Sequence, residues 1–303
     1  VEVGGKGLRP AAALVGRGVI RAAVVHAAAV AIVRAAADAK RSSAASRIWS
    51  FNFLQPNGCA TPIKDLFKLK DVDIYVNEFD KIVSQLKKSN EDINARWGSG
   101  LTSDIEADDS LVIHTHNVQN YSSLMLEMIQ NKEFLDVVEK IIGPDIVLHH
   151  TKLFEKAPKN GAAFPLHQDW SYFPTDHNSM IAAVIHLSDS NEEMGCVRIV
   201  PGSHNLGRVE DSDGHKYNSE IHDKYNLDAA IPVIASPGDV LFFHGCSLHG
   251  SMANTSSKSR KTILVQLYSG KDKIIKGNMH TNAQLVLRGF NYTSTRNSVD
   301  VNK

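Results

Sequence analysis

Cysteine is scarce in this 303-residue chain. Cys59, Cys196 and Cys246 show no CxxC spacing, which argues against a disulfide framework and a thiolate zinc site and fits a reducing compartment. No sign of charge is in excess. The 33 Lys plus Arg balance 33 Asp plus Glu, so nothing calls for a nucleic-acid partner. A membrane span is not expected either. The apolar run between Arg21 and Arg34 holds twelve residues and includes His26, against the roughly 20 that a bilayer requires. Internal repeats and long low-complexity linkers are absent. What remains, 43% hydrophobic and 22% charged, is an ordinary globular composition in a chain long enough for one large domain with an appended segment.

The even balance hides an asymmetry. Residues 1–50 carry eight basic side chains (Lys6, Arg9, Arg17, Arg21, Arg34, Lys40, Arg41, Arg47) against Glu2 and Asp38, and Ala and Val dominate them. This stretch begins with Val1 and is expected to be a leader of uncertain role. It is either a transit segment, being basic and acid-poor, or a non-native, partly helical extension outside the chemistry. The expected address is cytoplasmic, or mitochondrial if residues 1–50 are a transit peptide. Val301-Asn302-Lys303 is not a peroxisomal signal of the Ser-Lys-Leu type.

Residues 51–303 read as the catalytic domain. Between Asp71 and Lys88, Val72, Ile74, Tyr75, Phe79, Ile82, Val83 and Leu86 recur at helical spacing. A second helical region is expected from about Ser122 to Ile142, where Gly143-Pro144 stops it. Short runs rich in β-branched and aromatic residues then follow, at 146–154, 180–187, 196–200, 230–235, 240–243 and 262–268. Helices first and many short strands after them predict an α+β protein whose strands close as a barrel or jelly roll, with mostly N-terminal helices packed on it. A barrel mouth is a natural place for a buried metal.

The chemistry centres on His167-Gln168-Asp169. In extended chain the first and third side chains share one side, so an imidazole and a carboxylate can reach one ion. Alone, His-x-Asp is common and usually structural. The second half of the set lies downstream, where Pro237-Gly238-Asp239 makes a turn, 240–244 reads as a strand, and His249-Gly250-Ser251 follows. Two neutral imidazoles and one carboxylate make the facial triad of Fe(II) oxygenases, which leaves open positions for a 2-oxo acid and O2. The far carboxylate of such an acid needs a fixed cation. Arg260 is placed for that role, and the Ser251 hydroxyl can face the same cavity.

At these residues the sequence resembles the phytanoyl-CoA dioxygenase family of Fe(II)/2-oxoglutarate-dependent oxygenases. The matching segments are LHQDWSYFP (166–174), MGCVRIVPGSH (194–204), SPGDVLFFHGCSLHGS (236–251) and Arg260. Residues 110–270 resemble the family well, 51–110 more loosely, and the first 50 not at all. The resemblance implies a double-stranded β-helix (a jelly-roll, cupin-like barrel). It implies His167, Asp169 and His249 as iron ligands and Ser251 and Arg260 on 2-oxoglutarate, and it draws Gln168 of the same motif toward the cofactor. It also implies O2 as co-substrate, with ascorbate as an auxiliary reductant, and coupling of succinate and CO2 release to hydroxylation of an unactivated C–H bond. Asp169 disfavours halogenation, since related halogenases leave that position empty for chloride. Where the family's acyl-CoA hydroxylase has a Trp facing 2-oxoglutarate, this chain has Ile185. A family Lys aligns with Asn117 and a family Met with Lys152. Lys152 is therefore expected to replace the missing cation, and acyl-CoA is in doubt as substrate. The partner is a small-molecule or acyl substrate.

Other histidines compete. His244 precedes His249 by five residues, but only His249 has the Gly-Ser neighbour and the short spacing to Arg260. His186 and His204 are expected to be structural or pocket-lining. His149 and His150 are expected on opposite sides of a strand. His114 and His116 share a face and are either substrate contacts or a surface pair. Trp170 and Tyr172 are pocket wall or core. Two other functions stay open: a catalytically inactive metal-binding jelly roll (pseudoenzyme or sensor), and a zinc hydrolase, which would have no need of Arg260 and Ser251.

Overall fold

The computed structural model describes residues 62–105 and 107–295, all within one compact unit of the chain. The expected leader at 1–50 lies outside the described residues. No helix among the described residues is long and apolar enough to cross a membrane.

Helix α1 (Leu69–Ser89) carries Asp71 in its first turn and Lys87 and Lys88 in its last, matching the helix dipole, and Asn90 ends it in the left-handed conformation. The expected second helix is two helices. α2 (Ser123–Ile129) starts on the Ser122 side chain, and α3 (Lys132–Ile142) starts on Asn131, whose side chain accepts from Phe134 N. An Asn that satisfies a free N–H so well begins a new helix rather than continuing the old one.

The strands are β1 (Val112–His116), β2 (Ile146–Lys156), β3 (Phe164–His167), β4 (Ile181–His186), β5 (Val197–Ile199), β6 (Ile231–Pro232), β7 (Val240–His244), β8 (His249–Ser251), β9 (Arg260–Ser269) and β10 (Leu285–Arg288). They form two antiparallel sheets. The major sheet runs β1-β2-β9-β4-β7, with β10 also on β2, and the minor sheet runs β3-β8-β5-β6. This is the expected jelly roll. Each expected run became a strand, while β1, β3, β8 and β10 lie outside those runs.

The major sheet has two unlike faces. Ile181, Ala183, Ile185, Ile263, Val265 and Leu267 face the helices and join Phe79, Ile82, Met125, Phe134 and Val138 in the main core. The alternate positions turn inward, where Ala182, Val184, Leu241 and Phe243 meet Ile199 and Val233 of the other layer. Ile185, at the family's Trp position, is therefore on the helix side, and Val184 faces the interior. On β2 a bulge falls between Leu148 and His150. It resets the alternation, so that Leu148 and Leu153 both face the helices while Lys152 and Phe154 face inward.

Phe134 is fully buried against Phe67 and Phe242. Phe134→Ala should therefore cost about 3–5 kcal/mol of unfolding free energy by the cavity it leaves, read from denaturant melts. The half-exposed Ile74→Ala should stay within about 0.5 kcal/mol.

Candidate active site

His167 ends β3 directly opposite His249, the first residue of β8. Their rings lie 4.1 Å apart, centre to centre. Gln168 remains extended (φ −116°, ψ 132°) before the chain winds into a 3-10 turn at Asp169–Ser171, so Asp169 returns to the side of His167. Asp169 Oδ1 lies 3.8 Å from His167 Nε2 and 3.7 Å from His249 Nε2. One ligand atom from each of the three lies within 4.8 Å of the others, and all three residues are buried.

The donor set fits a divalent ion. His167 Nδ1 donates to Pro165 O (2.8 Å) and His249 Nδ1 to Ser247 O (3.0 Å), which leaves both Nε2 lone pairs toward Asp169. Burial, and then the neighbouring His249, hold His167 well below its ordinary pKa, so it is the neutral imidazole that metals require. Gln266 Nε2 donates to Asp169 Oδ2 (2.8 Å), which leaves Oδ1 to face the imidazoles. Trp97, Phe243 and Tyr172 surround the pair; Trp97 lies 4.7 Å from His167 and Phe243 4.3 Å from His249.

The triad opens on a cavity that Ser251, Arg260, Lys152, His150, His280, Trp97 and His215 also line. Arg260 begins β9 opposite Lys156 of β2. Its Nη1 donates to Gly195 O, while its buried Nε has no hydrogen-bond partner among the described residues. Burial pushes the guanidinium down to about 10, so it stays charged at neutral pH. Gly195 is required at φ +63°, where a Cβ would also run into Met252 O. Ser251 Oγ accepts from the fully buried Lys156 Nζ at 2.7 Å. The cation beside Ser251 is thus Lys156, not Lys152. Lys156 had no signal in the sequence, because only the bulge in β2 gives it its side.

Gln168 corrects an expectation. It does not line the cavity. Its amide donates to Gly207 O (3.0 Å) and Cys246 O (2.7 Å), and its oxygen accepts from Trp170 Nε1 (2.6 Å) and Val209 N (3.0 Å). Period-two alternation explains this: the residue between two ligands must face the other way. His244 is likewise saturated, donating to Asn178 O and accepting from Cys246 N. His149 and His150 do not point to opposite sides, since the bulge brings their Nδ1 atoms to 2.6 Å. Trp170 belongs to the Gln168 network, whereas Tyr172 is cavity wall. The loop at 205–229 gives His215 to the cavity, while Val209, Ile221 and Leu227 pack with Leu166 and Leu248.

A jelly roll that gathers two imidazoles and one carboxylate at an open cavity defines the non-haem iron oxygenase class. The chain is similar to the peroxisomal phytanoyl-CoA dioxygenase of Homo sapiens, 27% identical over 267 residues that cover 82% of this chain and 77% of that one. It is 28% identical over 163 residues to the probable alpha-ketoglutarate-dependent hypophosphite dioxygenase of Stutzerimonas stutzeri, covering 51% of this chain and 56% of that one. Its fold matches the non-heme alpha-ketoglutarate-dependent epimerase SnoN from nogalamycin biosynthesis with a TM-score of 0.58 at 19% identity, over 75% of this chain and 93% of that one. Residues 54–262 match the family described as Phytanoyl-CoA dioxygenase (PhyH), and the chain belongs to that family. It is a 2-oxoglutarate-dependent dioxygenase with an intact triad, and its cofactors are Fe(II) and 2-oxoglutarate.

Asp169→Ala should abolish stoichiometric Fe(II) binding in anaerobic titration. Gln266→Leu, which frees the Asp169 carboxylate to turn, should weaken it about 10- to 100-fold. Gln168→Ala should lower the melting temperature while leaving the metal stoichiometry at one.

Proposed function

We propose that this dioxygenase hydroxylates an unactivated C–H bond of a small-molecule or acyl substrate, with release of succinate and CO2. When bound at His167, Asp169 and His249, iron supplies the oxidising chemistry by activating O2 at the expense of 2-oxoglutarate. The chain's own residues bind, orient and exclude water. Arg260 carries this proposal: it is a buried guanidinium on the cavity wall, with Nη1 fixed on Gly195 O and no carboxylate paired with it among the described residues. An unmatched buried donor is costly, and a carboxylate accepting from it removes that cost. Ser251 supports the same assignment. Its oxygen already accepts from Lys156, so its hydrogen is left to donate to that carboxylate. Lys156 acts through Ser251 and is a positioning residue.

The substrate would enter between the triad and the aromatic wall of Trp97, Tyr172 and Phe173. The buried, free Cys196 and Cys246 support a reducing compartment such as the cytoplasm.

Succinate release across a panel of candidate substrates, with Fe(II), 2-oxoglutarate and ascorbate present, tests the activity. If 2-oxoglutarate is consumed by no route in the wild type, the proposal is wrong. Arg260→Lys keeps a charge but loses the fork, and should raise KM for 2-oxoglutarate by about tenfold or more. Lys156→Met should raise the same KM with Fe(II) affinity unchanged. A fall in kcat alone would remove Lys156 from this role.

A further inference from the structure

The cavity wall away from Arg260 holds a constellation that the iron and 2-oxoglutarate do not use. His150 and Lys152 lie two residues apart on the inward face of β2, and His280 faces them from the 277–284 loop. The His280 ring is 5.2 Å from His150 and 4.8 Å from His116, centre to centre. Lys152 Nζ has no hydrogen-bonded or ion-paired partner among the described residues.

A chain of hydrogen bonds sets the tautomer of His150. Asn278 Nδ2 donates to His280 O at 2.5 Å, which fixes the amide so that its Oδ1 faces His149. His149 Nε2 must then donate to Asn278 Oδ1, 3.0 Å away. With that proton placed, His149 Nδ1 in the neutral ring is an acceptor, and the only donor 2.6 Å from it is His150 Nδ1. Burial holds both rings far below the ordinary histidine value, His149 at about 4. His150 Nε2 is therefore a bare lone pair at the cavity, beside an ammonium that burial lowers only to about 8 and that stays mostly charged at neutral pH.

A ligand that suits this wall needs two features at once: negative charge for Lys152 and a hydrogen to give His150. A carboxylate at neutral pH has the first without the second. A singly protonated phosphorus oxyanion has both, with P–O⁻ accepting from Lys152 Nζ and P–OH donating to His150 Nε2. We propose that the substrate of this dioxygenase carries a phosphonate or phosphate monoester group, bound between Lys152 and His150. This rests on the assignment of Arg260 and Ser251 to 2-oxoglutarate, because it gives Lys152 to the substrate instead.

The test uses full-length protein with Mn(II) replacing Fe(II), saturating 2-oxoglutarate and pH near 7, titrated with methylphosphonate, methyl phosphate and acetate. Methylphosphonate or methyl phosphate should bind at least about tenfold more tightly than acetate, and whichever binds better identifies the source. Lys152→Met and His150→Phe should each weaken it by about tenfold or more, the scale of a lost charged hydrogen bond, with 2-oxoglutarate affinity unchanged. Histidine 15N NMR of the unsubstituted protein should show His150 protonated at Nδ1 and bare at Nε2, which stays decisive if His150→Phe does not fold. Equal affinity for acetate overturns the proposal, as does a His150 spectrum with the proton on Nε2. So does a Lys152→Met protein that loses 2-oxoglutarate but keeps methylphosphonate. Zn(II) uptake by an Asp169→Ala protein that is lost on adding His116→Phe would make the cluster a metal site, and also overturns it. Should wild type fail to take 2-oxoglutarate, the cofactor assignment falls. The comparison of methylphosphonate affinity between wild type and Lys152→Met would still decide the anion site.

Discussion

One extra residue in β2 decides which side chains the cavity receives. Side chains on a strand alternate, and Ile146 and Leu148 belong to the helix-facing core. Continued without interruption, that alternation would send His150, Lys152, Phe154 and Lys156 into the same apolar layer. Two ammonium groups there would cost several kcal/mol each. The bulge at His149 shifts the count by one, so that Thr151 and Leu153 take the helix side and the polar set turns inward. The bulge also folds the His149 ring back to His150, so it builds the hydrogen-bond chain as well as the parity.

The two sheets divide the work. The major sheet has long strands, helices on one face and most of the apolar burial, and so it is the rigid floor. The minor sheet has strands of two to four residues, and it carries His167, His249 and Ser251 on a single pair, β3 and β8. Short strands alone would hold ligands loosely. Gln266, on the long β9, reaches across to Asp169 and ties the third ligand to the floor. The geometry of the triad thus depends on a contact between layers.

How much of this was legible in the sequence follows from the range of the interactions. His167, Asp169, His249 and Arg260 sit in short segments whose turn residues and order can be read locally, and the structure gathers all four at one cavity. The helix at 69–89 and the longer strands were visible through their periodicity. The split at Asn131 was hidden, because the apolar spacing runs on past a residue that caps the next helix. Gln168 was misplaced by its motif although alternation alone turns it away. Lys156, Gln266, His280 and Trp97 were not visible at all. Each acquires its role from a partner far along the chain, or from a bulge that no composition rule announces.

The charges at the cavity do not balance. Arg260 and Lys152 both line it, and the one carboxylate among the described lining residues is that of Asp169, which is itself committed to Gln266 and the imidazoles. His116, His150 and His280 add nothing negative, and burial keeps them neutral. A cavity lined by more cations than carboxylates is less stable without its ligands, since Arg260 and Lys152 give up hydration that the Asp169 carboxylate returns only in part. A divalent metal worsens the imbalance. Anions must therefore accompany it, and their binding energy goes partly into relieving a cost that folding has already met. The dicarboxylate proposed for Arg260 brings two negative charges, one of them set against that guanidinium. Lys152 lies further along the same sheet, on β2, and in the anion site proposed above the substrate supplies its counter-charge.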